Sequence, residues 1–208
     1  MKYMMKEPGI WEIAVLATLR EAPMHPYQMQ RLLRDRHKDE ILALKPGSLY
    51  HAIGRLERGG LIEAVSTTRD GRRPERTTYR LTEAGRDALM RTLRKMVSTP
   101  RRESSEFMAA MAYLIHLTPE EAIPQLEERY ARLDSEMAQT AATMKAVSST
   151  VGRINLIESE YLLAMLRAER DWTEALIRDL RAGTLVWDLE GIYAQIKANT
   201  EAAGQVEE

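Results

Sequence analysis

Ser48, Tyr50, His51, Arg55 and Arg58 fall within one short stretch of the chain, residues 46–62. Hydroxyl, imidazole and guanidinium groups are the kinds that meet phosphates and base edges in a DNA major groove. Leu49, Ile53 and Leu56 recur between them at i, i+4 and i+7, which predicts one buried stripe of a helix. Pro46 suits a first helical position, because its missing N–H would be unpaired there anyway. Gly59-Gly60 can end the helix through a left-handed residue. An ordinary amphipathic surface helix would show the same pattern, and the next segment of the chain separates the two.

Residues 61–67 are rich in β-branched side chains and predict a strand. Arg69-Asp70-Gly71-Arg72 holds the Asp-Gly signal of a tight turn, and residues 76–81 predict the return strand. Arg69, Arg72, Arg73 and Arg76 place four arginines in eight residues, offset only by Asp70 and Glu75. A phosphate backbone would use such cations, since each one releases condensed counterions on binding; the alternative is a plain charged hairpin tip. Helix, turn, recognition-type helix and basic hairpin in this order predict a winged helix-turn-helix, whose second helix enters the groove while the wing touches the neighbouring backbone.

Other elements must position these residues. Residues 8–20 predict a first helix with Ile10, Trp11, Ala14, Ala17 and Leu19 inward. Residues 26–36 predict a second, with Met29, Leu32 and Leu33 as its apolar side. Thr82 predicts the N-cap of a helix over residues 83–97, and Pro100 a domain boundary, because proline disfavours helix in the residue before it. Residues 1–97 are therefore expected to form a DNA-binding domain and residues 101–199 a helical dimerisation and effector domain. Residues 200–208 are expected to be a frayed tail. In the second half, residues 105–117 predict a helix dense in apolar residues, and Thr118-Pro119-Glu120-Glu121 is a capping box with proline at its first position. Behind it Leu126, Tyr130, Leu133, Met137 and Met144 follow a heptad seam, which suits helix packing between chains or within one. Residues 154–181 predict a last long helix with Ile157, Tyr161, Met165, Ala168, Trp172, Leu176 and Leu180 inward, and Gly183 as its stop. The expected architecture is mainly α with a small β-hairpin wing.

The net charge of −1 conceals a division: residues 1–100 carry 19 Lys+Arg against 12 Asp+Glu, net +7, and residues 101–208 carry 11 against 19, net −8. This division points to nucleic-acid contact confined to the first half. The chain has no cysteine, which excludes disulfides and thiolate metal sites and fits a reducing cytosol. No run approaches the roughly 18 apolar residues of a membrane span, and residues 1–6 lack the apolar region of a signal peptide.

Several ordered motifs together resemble PadR-type transcriptional regulators. Residues 16–27, ending in Pro23-Met24-His25-Pro26-Tyr27, resemble the family's apolar helix, break and His-Gly-Tyr. Lys45-Pro46-Gly47-Ser48-Leu49-Tyr50, with Leu56-Glu57 and Gly60-Leu61-Ile62, resembles its recognition-helix signature. Thr78-Tyr79-Arg80-Leu81-Thr82-Glu83-Ala84-Gly85 resembles its return strand and next helix. The resemblance covers about residues 10–95, and the C-terminal half resembles, in layout, the long helical domain of the family's first subfamily. It implies a homodimeric, ligand-responsive repressor on a palindromic operator, with Tyr27, Ser48 and Tyr50 on DNA, Lys45 nearby and the wing arginines on phosphates. Pro26 departs from the family's usual glycine: proline fixes φ and removes an N–H.

Other chemistry finds less support. His25, His37, His51 and His116 are scattered with no nucleophile motif beside them, and no glycine-rich phosphate loop occurs, so no enzyme activity or cofactor is expected. His37 with Asp35, Asp39 and Glu40 reads as a solvated charge run rather than a metal site. The 12 methionines read as core filler or as an adaptable pocket lining. Trp11, Met108, Tyr161 and Trp172 are the candidates for a pocket that takes a small aromatic or apolar effector near a dimer interface. The expected partners are double-stranded operator DNA, a second copy of the chain and such an effector, with no membrane and a cytoplasmic, nucleoid-associated location. The competing readings are a winged-helix protein-interaction module and a transcriptional activator.

Overall fold

The computed structural model describes residues 7–42, 45, 47–68, 76–100, 105–188, 190–191 and 193–195. The chain divides into two compact units, Met1–Arg102 and Glu103–Glu208. The first holds α1 (Ile10–Glu21), α2 (Pro26–Asp35), the short α3 (Lys38–Ile41), α4 (Ser48–Arg58), β1 (Ile62–Thr68), β2 (Arg76–Leu81) and α5 (Glu83–Ser98). The second holds α6 (Glu106–Ala112), α7 (Pro119–Val147) and α8 (Ile157–Ala182), with 3-10 turns at Leu114–His116 and Arg153–Asn155.

The core of the first unit gathers Val15, Leu16 and Leu19 of α1, Met29 of α2, the Leu49, Ile53 and Leu56 stripe of α4, and Ala88 and Leu89 of α5. α1 packs against α2, α4, α5 and β2. A helix covered from several directions has no single apolar stripe, and the expected inward set is corrected accordingly. Ala14, Val15, Leu16, Thr18 and Leu19 are buried, whereas Ile10 and Ala17 are exposed.

Two close approaches hold the hairpin to this core. Met24 and Tyr79 exchange backbone hydrogen bonds in both directions at 3.1 Å, so the α1–α2 connection bridges to β2. At the start of α5, the Thr82 hydroxyl accepts from the Gly85 N–H at 3.0 Å and donates to the Gly60 carbonyl at 2.8 Å. A Cβ on Gly85 would stand 2.0 Å from the Leu61 carbonyl oxygen. The Thr82–Gly85 motif thus welds the first turn of α5 to the corner between α4 and β1, and only glycine permits the approach.

In the second unit, α7 and α8 pack along each other around Ala122, Leu126, Leu176, Ile177 and Leu180. Thr118 and Glu121 form the reciprocal capping box that starts α7. The helix expected over residues 105–117 is shorter. α6 stops at Ala112 and tightens into a 3-10 turn, after which the Leu117 carbonyl accepts from the Trp187 indole N–H at 2.9 Å.

Candidate nucleic-acid interface

α4 forms because Leu49, Ala52, Ile53 and Leu56 share one buried face at helical spacing. Its end follows the Schellman pattern: the Gly60 N–H donates to the Glu57 carbonyl and the Leu61 N–H to the Leu56 carbonyl, both at 2.9 Å. Gly60 takes the left-handed φ of +67°, and Leu61 turns back into the core beside Leu56. This stop sends the chain directly into β1. Pro46 lies outside the described residues; the helix begins at Ser48 behind Gly47, with no side-chain cap.

The outer face of α4 carries Tyr50, His51 and Arg58, all exposed, with Ser48 half-buried at its start. Tyr50 is 63% exposed, far more than a core aromatic would be. Lys45, before the helix, is exposed as well. On α2, Tyr27 is 66% exposed, and its ring stacks on His25 with centroids 6.3 Å apart.

Pro26 fits this turn without strain. It occupies the first turn of α2, where a missing N–H loses nothing. His25 caps the helix: its Nδ1 accepts from the Gln28 N–H at 3.2 Å, and Gln28 Oε1 accepts from the His25 N–H at 3.1 Å. His37 is also architectural; its left-handed φ of 53° and a bond from its N–H to the Arg34 carbonyl at 2.9 Å turn the chain out of α2.

Arg55 behaves differently from its neighbours. Its Nε donates to Glu12 Oε1 at 2.5 Å, and the Glu12 residue is buried in α1. The pair braces the recognition-type helix against α1 and offsets the charge of Arg55 at its source. Arg55 is therefore first a positioning residue of α4. Sequence reading missed Glu12, which lies on no apolar stripe and gives no signal until the two helices cross.

In the hairpin, Ile62 pairs with Leu81 and Glu63 with Arg80, and the register shifts between Ala64 and Ser66, a bulge at exposed Val65. Arg80 Nε donates to Glu63 Oε1 at 2.6 Å across the pair. Arg76 opens β2 opposite Thr68. Arg69, Arg72 and Arg73 lie outside the described residues, as does the side chain of Arg76.

The four pocket candidates divide between the units. Trp11 is half-buried in the first unit against Ala14 and Leu33. In the second unit, Trp172 meets Phe107 edge-on at 5.9 Å, and the Arg129 guanidinium lies 3.7 Å from the Phe107 ring centroid. Met108 and Tyr161 are exposed. A cavity of about 270 Å³ lies elsewhere in the second unit, between His116, Thr118, Pro119 and Trp187.

Part of the heptad seam of α7 packs within the chain. Leu126 is 3% and Leu133 7% exposed, and Leu126 and Tyr130 belong to the intrachain cluster with α8; Met137 and Met144 are half-buried. Leu126, Tyr130 and Leu133 thus place apolar surface within the chain. The uncovered stripe is instead on α8: Ile157, Tyr161, Met165 and Trp172, expected inward, are all exposed. α8 has two apolar faces, and Leu166, Leu176, Ile177 and Leu180 supply the buried one. Among the described residues no helix is long and apolar enough to cross a membrane.

The fold and the exposed face of α4 define a winged helix-turn-helix unit joined to a helical second unit. Residues 15–91 match the Transcriptional regulator PadR-like family. The matched segment runs from within α1 to within α5, so this part of the first unit is similar to PadR-like transcriptional regulators. A comparison with curated protein sequences returned no significant match. Among solved structures, Bacillus subtilis PadR in complex with operator DNA shares the fold at 18% identity and TM-score 0.67, covering 83% of this chain and 99% of that one. The same protein in complex with p-coumaric acid is similar at 15% identity, TM-score 0.67 and the same coverages. A PadR-like transcriptional regulator from Bacillus cereus is similar at 15% identity and TM-score 0.58, again covering 83% and 99%.

Proposed function

We propose that the protein is a homodimeric, cytoplasmic repressor that binds a palindromic operator and is released by a small aromatic or apolar effector. The observation that carries the reading is the exposed set Tyr27, Tyr50 and His51, with half-buried Ser48 beside them, on one winged helix-turn-helix unit, in the half of the chain that carries 19 Lys+Arg against 12 Asp+Glu. α4 enters the major groove, Tyr27 and Lys45 approach the backbone at its side, and Arg69, Arg72, Arg73 and Arg76 reach phosphates from the wing. Operator DNA and p-coumaric acid, the partners crystallised with the Bacillus subtilis neighbour, support these two partner classes.

In this reading residues 1–97 are the DNA-binding domain and residues 101–199 the dimerisation and effector domain. The exposed stripe Ile157, Tyr161, Met165 and Trp172 on α8 packs against a second copy, because large apolar surface seldom stays in water. Two reading helices must stand one DNA turn apart, about 34–36 Å, or a multiple of it. An effector held near Met108, Tyr161 and Trp172 that binds only one spacing shifts the population away from the DNA-competent form.

The test is operator affinity against salt concentration. Affinity is expected to fall steeply with salt, and Arg72→Ala with Arg73→Ala is expected to reduce the logarithmic slope by about 2. An unchanged affinity and slope in that double variant would remove the wing from the interface.

A further inference from the structure

Gly54 stands inside α4, between Tyr50 and His51 on one side and Arg58 on the other. A glycine in a helix interior destabilises it relative to alanine, so it needs a reason. Gly60 has one, a left-handed φ, and Gly85 another, the Leu61 carbonyl. Gly54 has neither. It is absent from the positive-φ positions, and among the described residues a Cβ built on it would meet only Arg58 Nη1, at 3.4 Å. That atom is the free end of a flexible, exposed side chain, and it can move aside. At about 100° per residue Gly54 lies roughly 150° round the helix from the centre of its buried face, so nothing among the described residues of this unit calls for a missing side chain.

What remains is a requirement from outside. We infer that Gly54 is a specificity-determining position at which the α4 backbone itself approaches the base edges of the operator. This rests on the reading of α4 as the groove-entering helix. Tyr50, His51 and Arg58 rim the bare patch with groups that can hydrogen-bond, while the patch lets the helix sit deeper than any side chain there would allow. A Cβ would hold the helix off the base edges, yet it would leave the wing cations within reach of the phosphates, which tolerate small shifts. The cost therefore falls on sequence-specific binding and spares the non-specific component.

The experiment compares the full-length wild type with Gly54→Ala in two assays. The DNA is a duplex selected by the wild type from a random-sequence pool, with a scrambled duplex of equal length as the non-specific reference. Gly54→Ala is expected to raise the melting temperature by about 2–4 °C through better helix propensity. It is also expected to weaken binding to the selected duplex by roughly tenfold or more, the scale of one mismatched base pair, with binding to the scrambled duplex and its salt slope unchanged. Unchanged affinity for the selected duplex overturns the inference. So does a lowered melting temperature or failure to fold, which would show that the fold demands the glycine, and so does an equal loss on both duplexes. If the wild type selects no duplex at all, the DNA-binding reading itself fails, an outcome distinct from these.

Discussion

The two units of this chain treat apolar surface in opposite ways. In the first, α4 buries Leu49, Ala52, Ile53 and Leu56 and leaves polar and cationic groups outside. In the second, α8 buries one apolar face against α7 and leaves Ile157, Tyr161, Met165 and Trp172 in the open. The first unit also exposes Leu93, Met96 and Val97, but these lie towards the C-terminal end of α5 and not on α4. An outward face built from hydroxyl, imidazole and guanidinium groups suits a polar, charged partner, whereas one built from tyrosine, methionine and tryptophan suits another protein surface. In the proposed reading one chain thus carries two interfaces of different chemistry, each open to its own test.

The largest effect is expected where the first unit depends on a backbone approach. Gly85→Ala would drive a Cβ to 2.0 Å from the Leu61 carbonyl, and the welded corner of α4, β1 and α5 would have to open. A loss of about 3 kcal/mol or more is expected, read as a lowered urea midpoint. A near-neutral result would break the contrast, because the first unit would then be as yielding as the second. The next effect tests the second unit. Met165→Glu places a charge in the middle of the α8 stripe, outside the intrachain core. It is expected to convert a dimer to monomers in sedimentation, with the helical signal retained. A dimer that survives the change would show that the stripe is not the dimer face.

How much could be read from the chain alone follows the same division. In the first unit the signals are local and chemically specific. The Gly59-Gly60 stop, the Thr82 cap and the bounds of β2 each need only a few neighbouring residues, and each is where the sequence puts it. Glu12 was illegible, because its meaning depends on α1 crossing α4 and meeting Arg55. The wrong inward set for α1 has a related cause: a helix packed on several sides has no dominant period. In the second unit periodicity found the helices but only part of the inward face of α8: Leu176 and Leu180 are buried, whereas Ile157, Tyr161, Met165 and Trp172 are exposed. α8 has apolar residues at two overlapping spacings, and sequence cannot say which series meets α7. The Leu126 and Leu133 seam likewise fits packing within a chain as well as between chains.

A smaller effect separates surface chemistry from fold on α4. Tyr50 is 63% exposed, so Tyr50→Ala should leave the melting temperature nearly unchanged. Operator affinity should fall by roughly tenfold, the scale on which a recognition helix depends on one base or backbone interaction. Unfolding in place of weakened binding would move Tyr50 into the core and make the two units more alike than the structure shows.

The smallest effect concerns how the first unit holds its helices together at the surface. The carboxylate of Glu21, at the end of α1, accepts from Arg36 just after α2, with oxygens at 2.5 and 2.9 Å from the two terminal nitrogens. The hydrogen bonds from Arg36 hold the Glu21 carboxyl below its ordinary value of 4.5, more than its slight burial raises it. A lowered folded-state value favours the ionised form, so the pair's contribution is fully present above about pH 4.5 and is lost as acid drives the pH down through the folded value. Both side chains are about half exposed, 47% each, and water screens the pair. Glu21→Gln is therefore expected to cost only about 0.5 kcal/mol near neutral pH, and the gap between the urea midpoints of variant and wild type should close in acid. A gap that stays constant across that range would mean that Glu21 acts through packing rather than charge. The contact between α1 and α2 would then depend on the Ala14 and Leu33 cluster and not on its rim.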